Sequence, residues 1–100
     1  MDKAEVLKKL SQYKALVSKH LDIENMILFG SYAKGNQNEN SDIDVAVIVS
    51  SINYDFFTYT PLLWKLRRDI DLRIEPVLFE KNEDQSGFLQ EIQKTGILID

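Results

Sequence analysis

Two stretches decide the fold: GSYAKG at residues 30–35 and SDIDVAVIV at residues 41–49. The first places a glycine and a serine directly after an apolar run. The second begins an apolar, β-branched run with two aspartates. Side chains two residues apart on a strand project from the same face, so Asp42 and Asp44 are predicted to lie side by side. Adjacent carboxylates repel each other unless a cation compensates them, which favours a divalent metal.

The Gly30-Ser31 pair follows the apolar run MILF at residues 26–29. Glycine lets a backbone turn sharply and approach a ligand, successive amides of such a turn can hold phosphate oxygens, and Ser31 adds a hydroxyl. An isolated Gly-Ser pair is most often an ordinary strand-to-helix turn. The aspartates downstream favour a phosphate site over an ordinary turn, because magnesium binds carboxylates and leaves other positions to water and substrate phosphates. The two stretches together predict a site for a metal and nucleotide phosphates.

Composition restricts the class of protein. One hundred residues make one small domain, taken here as residues 1–100. Twelve Lys and Arg against 16 Asp and Glu give a net charge of −4, which argues against stable nucleic-acid binding by this chain alone. The absence of cysteine excludes disulfides and thiolate metal sites. No apolar run reaches membrane-spanning length and the N-terminus is charged, so we expect a cytoplasmic protein without a membrane partner.

The hydrophobic pattern predicts an α+β fold, with a small mixed β-sheet flanked by helices. Pro61 indicates that the second long helix starts near Thr60 or kinks there, and Pro76 indicates an edge strand, a bulge or the end of pairing. Residues 50–54 are expected to form a connection. The predicted helices are residues 3–20, 31–34 (one turn), 56–68 and 85–94, and the predicted strands are residues 26–29, 42–49, 71–79 and 97–99.

Aromatic residues are concentrated in one segment, as Tyr54, Phe56, Phe57, Tyr59 and Trp64. A core role is favoured for most of them. They exceed what one helix of a small domain needs, however, and aromatic residues are enriched at the cores of interfaces. We therefore expect some of them to cover a partner surface.

Gly30-Ser31, followed after ten residues by Asp42-Ile43-Asp44, resembles the signature of the DNA polymerase beta-like nucleotidyltransferase superfamily. The forms GSYAKG and SDID and the chain length are similar to its minimal nucleotidyltransferases. The later segment DLRIEP at residues 71–76 strengthens the likeness, because a third carboxylate on a neighbouring strand is part of the family pattern. The resemblance implies a nucleotidyltransferase-like fold.

The resemblance also implies roles for residues. Asp42, Asp44 and a third carboxylate would hold two Mg²⁺ ions and carry the catalysis, while Gly30 and Ser31 would hold the β- and γ-phosphates. The implied reaction is metal-dependent transfer of a nucleoside monophosphate, with AMP from ATP as the first choice, and release of pyrophosphate.

The third carboxylate has three candidates. Asp71 fits the family pattern best, and alternation along a strand would place it on one face with Arg73 and Glu75. Glu75 is the second choice. Asp69 is the third, because it is expected to lie at a helix end.

The resemblance further implies a partner, since minimal nucleotidyltransferases are commonly paired with a small helical HEPN protein in toxin–antitoxin modules. In that setting the chain would be an antitoxin that attaches AMP to a hydroxyl of its HEPN partner (protein adenylylation). Two alternatives stay open: a non-catalytic module that binds such a partner, and a transferase acting on a small-molecule acceptor. A homo-oligomer also stays open.

Overall fold

The computed structural model describes residues 1–50, 56–83 and 86–100, and within them a mixed four-stranded sheet carries helices on both faces. The predicted α+β class is therefore confirmed. The helices are α1 Lys3–Val17, α2 Ser31–Lys34, α3 Phe56–Leu66 and α4 Phe88–Thr95, with one 3-10 turn at Arg67–Asp69. The strands are β1 Ile23–Phe29, β2 Ile43–Val49, β3 Ile74–Glu80 and β4 Ile97–Leu98.

The sheet has the strand order β3-β2-β1-β4. Strand β1 runs antiparallel to both β2 and β4, whereas β2 and β3 are parallel. Helix α3 lies in the crossover between the two parallel strands, which require such a connection. Because β3 is an edge strand, Pro76 is tolerated there, and the edge is one of the three alternatives that the sequence left open.

Alternation along the strands divides the core into two layers. One face of the sheet packs against α1 and α3, and the other packs against α4. In β2, Ile43, Val45 and Val47 point to the first face, and Ala46 and Ile48 point to the second. Asp44 therefore lies on the face that α4 covers, at the start of β2.

Several element bounds differ from the prediction. Helix α1 ends at Val17, and β1 begins at Ile23, three residues before the predicted start. Pro61 lies inside α3, which already includes residues 56–60, so the expectation of a helix start near Thr60 is wrong. Helix α4 begins at Phe88. Residues 51–54 of the predicted connection lie outside the described part of the chain, and so does residue 85, the predicted start of the last helix.

The start of β3 is the correction with the largest consequence. The strand begins at Ile74, whereas the sequence predicted a start at Asp71. The Asp71 Oδ1 atom accepts the backbone N–H of Arg73 at 2.8 Å, and the Asp71 carbonyl accepts the N–H of Ile74 at 3.2 Å. These local bonds form a turn where the sequence predicted the first residues of the strand. Asp71 and Glu75 therefore do not share a strand face.

Of the helices in the described ranges, none combines the length and the apolar character that a membrane crossing requires.

Candidate active site

Three strand ends meet at one edge of the sheet and bring the predicted motifs together. The antiparallel register places Phe29, the last residue of β1, opposite Asp44. The parallel register places Glu75 beside Asp44 on the other side. A backbone bond from the Ile43 N–H to the Arg73 carbonyl, 2.9 Å long, fixes this end of β2 against the segment that leads into β3.

Asp42, Asp44 and Glu75 form the carboxylate cluster of this site. Asp42 is exposed and the other two are half-buried. Burial, followed by the negative charge of Asp42, raises the pKa of Asp44, although a hydrogen bond with Glu75 opposes that shift. Burial and the charges of Asp42 and Asp44 raise the pKa of Glu75, and its hydrogen bond with Asp42 acts in the same direction. The cluster therefore holds more negative charge than the protein compensates.

This donor set suits a hard cation. Oxygen-only ligands with neighbouring space for water and phosphate are what Mg²⁺ prefers. Within residues 1–50, 56–83 and 86–100, no group of three or more His, Cys, Asp or Glu side chains is arranged so that it could hold a metal ion. Glu75 forms hydrogen bonds with both Asp44 and Asp42, so these side chains would have to separate around a cation. The chemistry of the set fits Mg²⁺, and the ligand arrangement would form on binding.

Gly30 connects the carboxylates to the turn that precedes α2. Its φ of 77° and ψ of −151° belong to a region that glycine alone adopts readily. A Cβ built on Gly30 would overlap the Oδ2 atom of Asp44. The turn therefore leaves no space for a side chain between Gly30 and Asp44.

Helix α2 begins immediately after this turn, with Ser31 as its first residue. Gly30 provides no side-chain cap, and the first amides of a helix have no intrahelical acceptor. Ser31 is half-buried beside them. The start of α2 therefore follows directly on the residue that lies against Asp44.

The structure does not bring Asp71 to this cluster. Its Oδ2 atom pairs with Lys9 Nζ at 2.8 Å and with Arg73 Nη2 at 3.2 Å, and its Oδ1 atom accepts from Arg73 Nε at 3.2 Å. Burial alone would raise the pKa of Asp71, but the hydrogen bonds from Arg73 and Lys9 outweigh it and hold this pKa well below its ordinary range. Both oxygens are occupied by donors, so this carboxylate ties α1 to the start of β3.

Other residues singled out in the sequence have structural positions. Tyr32, in α2, is fully buried in the core beneath the turn. In the aromatic segment, Tyr59 is partly buried against the core, whereas Phe57 is 80% exposed and Trp64 is 36% exposed. Arg67 lies 4.5 Å from the centre of the Trp64 ring. Tyr54 and the side chain of Phe56 lie outside the described part of the structure.

Comparison with known proteins shows the family to which the chain belongs. The family "Polymerase beta, Nucleotidyltransferase" matches residues 11–100, and the chain belongs to this family. A protein of Methanocaldococcus jannaschii named "Putative protein adenylyltransferase" is 36% identical over 77 residues, which are 69% of this chain and 77% of that protein. A second protein of the same name and organism is 28% identical and covers 95% of this chain and 99% of its own length.

Solved structures show the same fold. The structure of "a putative nucleotidyltransferase from Sulfolobus solfataricus" superposes with a TM-score of 0.69 at 20% identity, covering 96% of this chain and 80% of that one. The structure of a "toxin-antitoxin with AMP-PNP" gives a TM-score of 0.66 at 26% identity, with 92% and 72% covered. The family resemblance and the nucleotidyltransferase fold, both predicted from the sequence, are confirmed.

Proposed function

We propose that this protein transfers AMP from ATP to a hydroxyl group of a partner protein. The observation that carries the proposal is the contact of Asp42, Asp44 and Glu75 at a strand edge, directly beside the Gly30 turn. The relatives named as adenylyltransferases support the reaction class. AMP-PNP, an ATP analogue, accompanies one structural neighbour, which supports ATP as the nucleotide.

In this proposal Asp42, Asp44 and Glu75 hold two Mg²⁺ ions, with Glu75 as the third carboxylate in place of Asp71. When bound, the metal supplies charge neutralisation for the triphosphate and makes the acceptor hydroxyl more acidic. The Gly30 turn and Ser31 hold the β- and γ-phosphates and orient the α-phosphorus for in-line attack. The acceptor oxygen bonds to the α-phosphorus, the bond to the bridging oxygen breaks, and pyrophosphate leaves. The proton of the hydroxyl goes to the Glu75 carboxylate.

The proposed partner is a small helical protein of the HEPN type, which this chain would modify and thereby silence as an antitoxin. A toxin–antitoxin complex among the structural neighbours supports a protein partner. The exposed Phe57 and Trp64 rings on α3 supply an apolar surface on which such a protein could dock. A protein acceptor also explains how a compact chain could orient a hydroxyl, since the partner would supply the missing surface.

A binding module without activity is the second candidate. It is disfavoured because Gly30 keeps a backbone conformation that serves close approach to Asp44, and because three repelling carboxylates are kept together. Neither feature benefits a protein that only binds. Repulsion within such a cluster lowers the stability of the folded state unless a cation is used.

Intact-mass analysis tests the proposal. The chain is mixed with the HEPN-type product of a neighbouring reading frame, ATP and Mg²⁺, and the partner should gain mass in steps of one AMP. The Asp42→Asn variant should give no gain, whereas Asp71→Asn should retain it. Tight binding without any mass change would instead support the binding module. AMP on a small molecule, with an unmodified partner, would support the third alternative.

A further inference from the structure

An aromatic patch, defined as Phe29, Phe79 and Phe88, adjoins the carboxylate cluster. Phe88, the first residue of α4, has its ring centre 5.7 Å from that of Phe29 and 5.8 Å from that of Phe79. Both contacts are edge-on, with interplanar angles of 89° and 66°. Phe29 and Phe79 are half-buried, but Phe88 is 47% exposed. The two neighbouring rings therefore hold Phe88 in place while part of its surface faces solvent.

The strand register places this patch next to the carboxylates on the same face of the sheet. Phe29 lies opposite Asp44, and side chains of such antiparallel pairs are in contact range. Farther along the same face, Ala46 pairs with Val77, which is 38% exposed although it lies on the sheet face that α4 covers. Ala46 itself is fully buried in the cluster that includes Leu89 and Ile92 of α4. Phe29 thus connects the carboxylate end of this sheet face to Phe88, whose ring is partly exposed.

From this arrangement we infer that Phe88 is the stacking residue for the nucleobase of the bound nucleoside triphosphate, an inference that rests on the proposed function. Phe29, opposite Asp44, and Phe88, in contact with Phe29, follow one another away from the carboxylates, where the sugar and base of a nucleotide held by its phosphates would extend. Base stacking needs an exposed aromatic ring, and Phe88 is 47% exposed while its two ring contacts hold it in place.

A nucleobase fits the exposed Phe88 ring better than a protein side chain would. Phe29 joins that ring to the position of Asp44, so a base that stacks on Phe88 would belong to a ligand that also reaches the proposed metal ligands. Around Phe88, the Ser86 hydroxyl accepts the Phe88 N–H at 3.3 Å and holds the start of α4 in place. An aromatic ring fixed in this way recognises a planar base without selecting among bases by hydrogen bonds, so we expect stacking with little base preference.

The test compares two ligands by isothermal titration calorimetry in Mg²⁺: ATP, and inorganic tripolyphosphate, which has no base. Phe88→Leu keeps apolar volume and removes the aromatic face, and Phe88→Tyr keeps the face. We expect Phe88→Leu to weaken ATP binding roughly tenfold, with tripolyphosphate binding unchanged, and Phe88→Tyr to bind both ligands as the wild type does. Leu98→Ala, at an apolar residue of β4 that is 57% exposed, is the control and should change neither affinity.

The outcomes separate this inference from the proposed function. If Phe88→Leu binds ATP as tightly as the wild type, or loses both ligands equally, Phe88 does not stack on the base, while the phosphate and metal site stands. If the wild-type protein binds neither ligand in a Mg²⁺-dependent way, the proposed function itself is wrong. Thermal melts of each variant accompany the titrations, and a folded Phe88→Leu variant is expected because the ring is half exposed.

Discussion

Gly30 approaches Asp44 so closely that any side chain at position 30 would overlap the Oδ2 atom of the Asp44 carboxylate. Two residues from different motifs thereby depend on each other. The glycine adopts a backbone conformation that other residues avoid, and the aspartate occupies the space that a Cβ would need. The two motifs are separate in the sequence, and this contact brings them together in the folded chain.

The first prediction follows from that contact. Gly30→Ala should destabilise the fold by about 1–3 kcal/mol, the usual penalty for a strained backbone, and should abolish Mg²⁺-dependent ATP binding because it displaces the Asp44 carboxylate. Gly35→Ala is the matched control, since Gly35 has the same φ of 77° but open space around it. It should cost about 1–2 kcal/mol and keep ATP binding. Urea unfolding and calorimetry measure both effects, and equal ATP binding by the two variants would contradict the prediction.

The second prediction separates the two candidate third carboxylates. Glu75→Gln should lower AMP transfer by roughly a hundredfold or more, because it removes a proposed metal ligand from the cluster. Asp71→Asn should keep most of the activity and instead lower the free energy of unfolding by about 1–2 kcal/mol, since the partly exposed Lys9 and Arg73 lose a charged acceptor. Transfer rates and urea melts of the same two preparations give the comparison. A dead Asp71→Asn enzyme beside an active Glu75→Gln enzyme would restore the assignment made from the sequence.

The third prediction concerns the pH dependence of stability. The pKa of Asp71 is held below its ordinary value, so near pH 4 the unfolded chain binds more protons at this residue than the folded chain does. The stabilisation is therefore complete above the unfolded pKa of about 3.9 and is lost as the pH falls toward the folded value. The stability difference between wild type and Asp71→Asn should be constant from about pH 7 to 5 and shrink below about pH 4. A difference that does not change down to pH 3 would show that Asp71 acts by packing alone.

Much of the fold followed from the sequence, because the deciding signals were local. β-branched runs, the glycine after MILF and the Asp2 cap, whose side chain accepts the Glu5 N–H at 2.8 Å, each depend on a few neighbouring residues. Pro76 predicted an edge strand, a bulge or the end of pairing, and the structure has the first of these. The sequence predicted that Asp42 and Asp44 lie together because successive side chains of a strand point to opposite faces.

The third carboxylate could not be derived in the same way. Asp71 and Glu75 both suit a strand that starts at residue 71, and only the turn formed by the Asp71 side chain moves the start to Ile74. That turn is stabilised by Lys9, which lies 62 residues away on α1. A contact between residues so far apart in the sequence leaves no local sequence pattern from which it could be predicted. The aromatic patch was missed for a similar reason, since its three members come from β1, β3 and α4.

The fourth prediction uses the repulsion within the cluster. Asp44→Asn removes one of three adjacent negative charges, so without metal its melting temperature should equal or exceed that of the wild type. Mg²⁺ should raise the melting temperature of the wild type, because a ligand that binds only the folded state stabilises it, and should leave Asp44→Asn unchanged. Asp100→Asn, at an exposed position outside the cluster, controls for net charge and should respond to Mg²⁺ as the wild type does. A Mg²⁺ response of the same size in Asp44→Asn would contradict the proposed metal ligands.

The last prediction addresses the partner surface. Phe57 is 80% exposed on α3, and Trp64, two helical turns later, is 36% exposed beneath Arg67. Such rings are typical of the residues that dominate binding energy in a protein interface. Phe57→Ser should weaken binding of the HEPN-type partner at least about tenfold and slow its modification in proportion, while ATP binding stays unchanged. Leu98→Ser is the matched control, because Leu98 is 57% exposed on β4 at the opposite edge of the sheet. Surface plasmon resonance with the immobilised partner measures both variants. If Leu98→Ser loses the partner and Phe57→Ser keeps it, the partner docks on the β4 edge instead of α3.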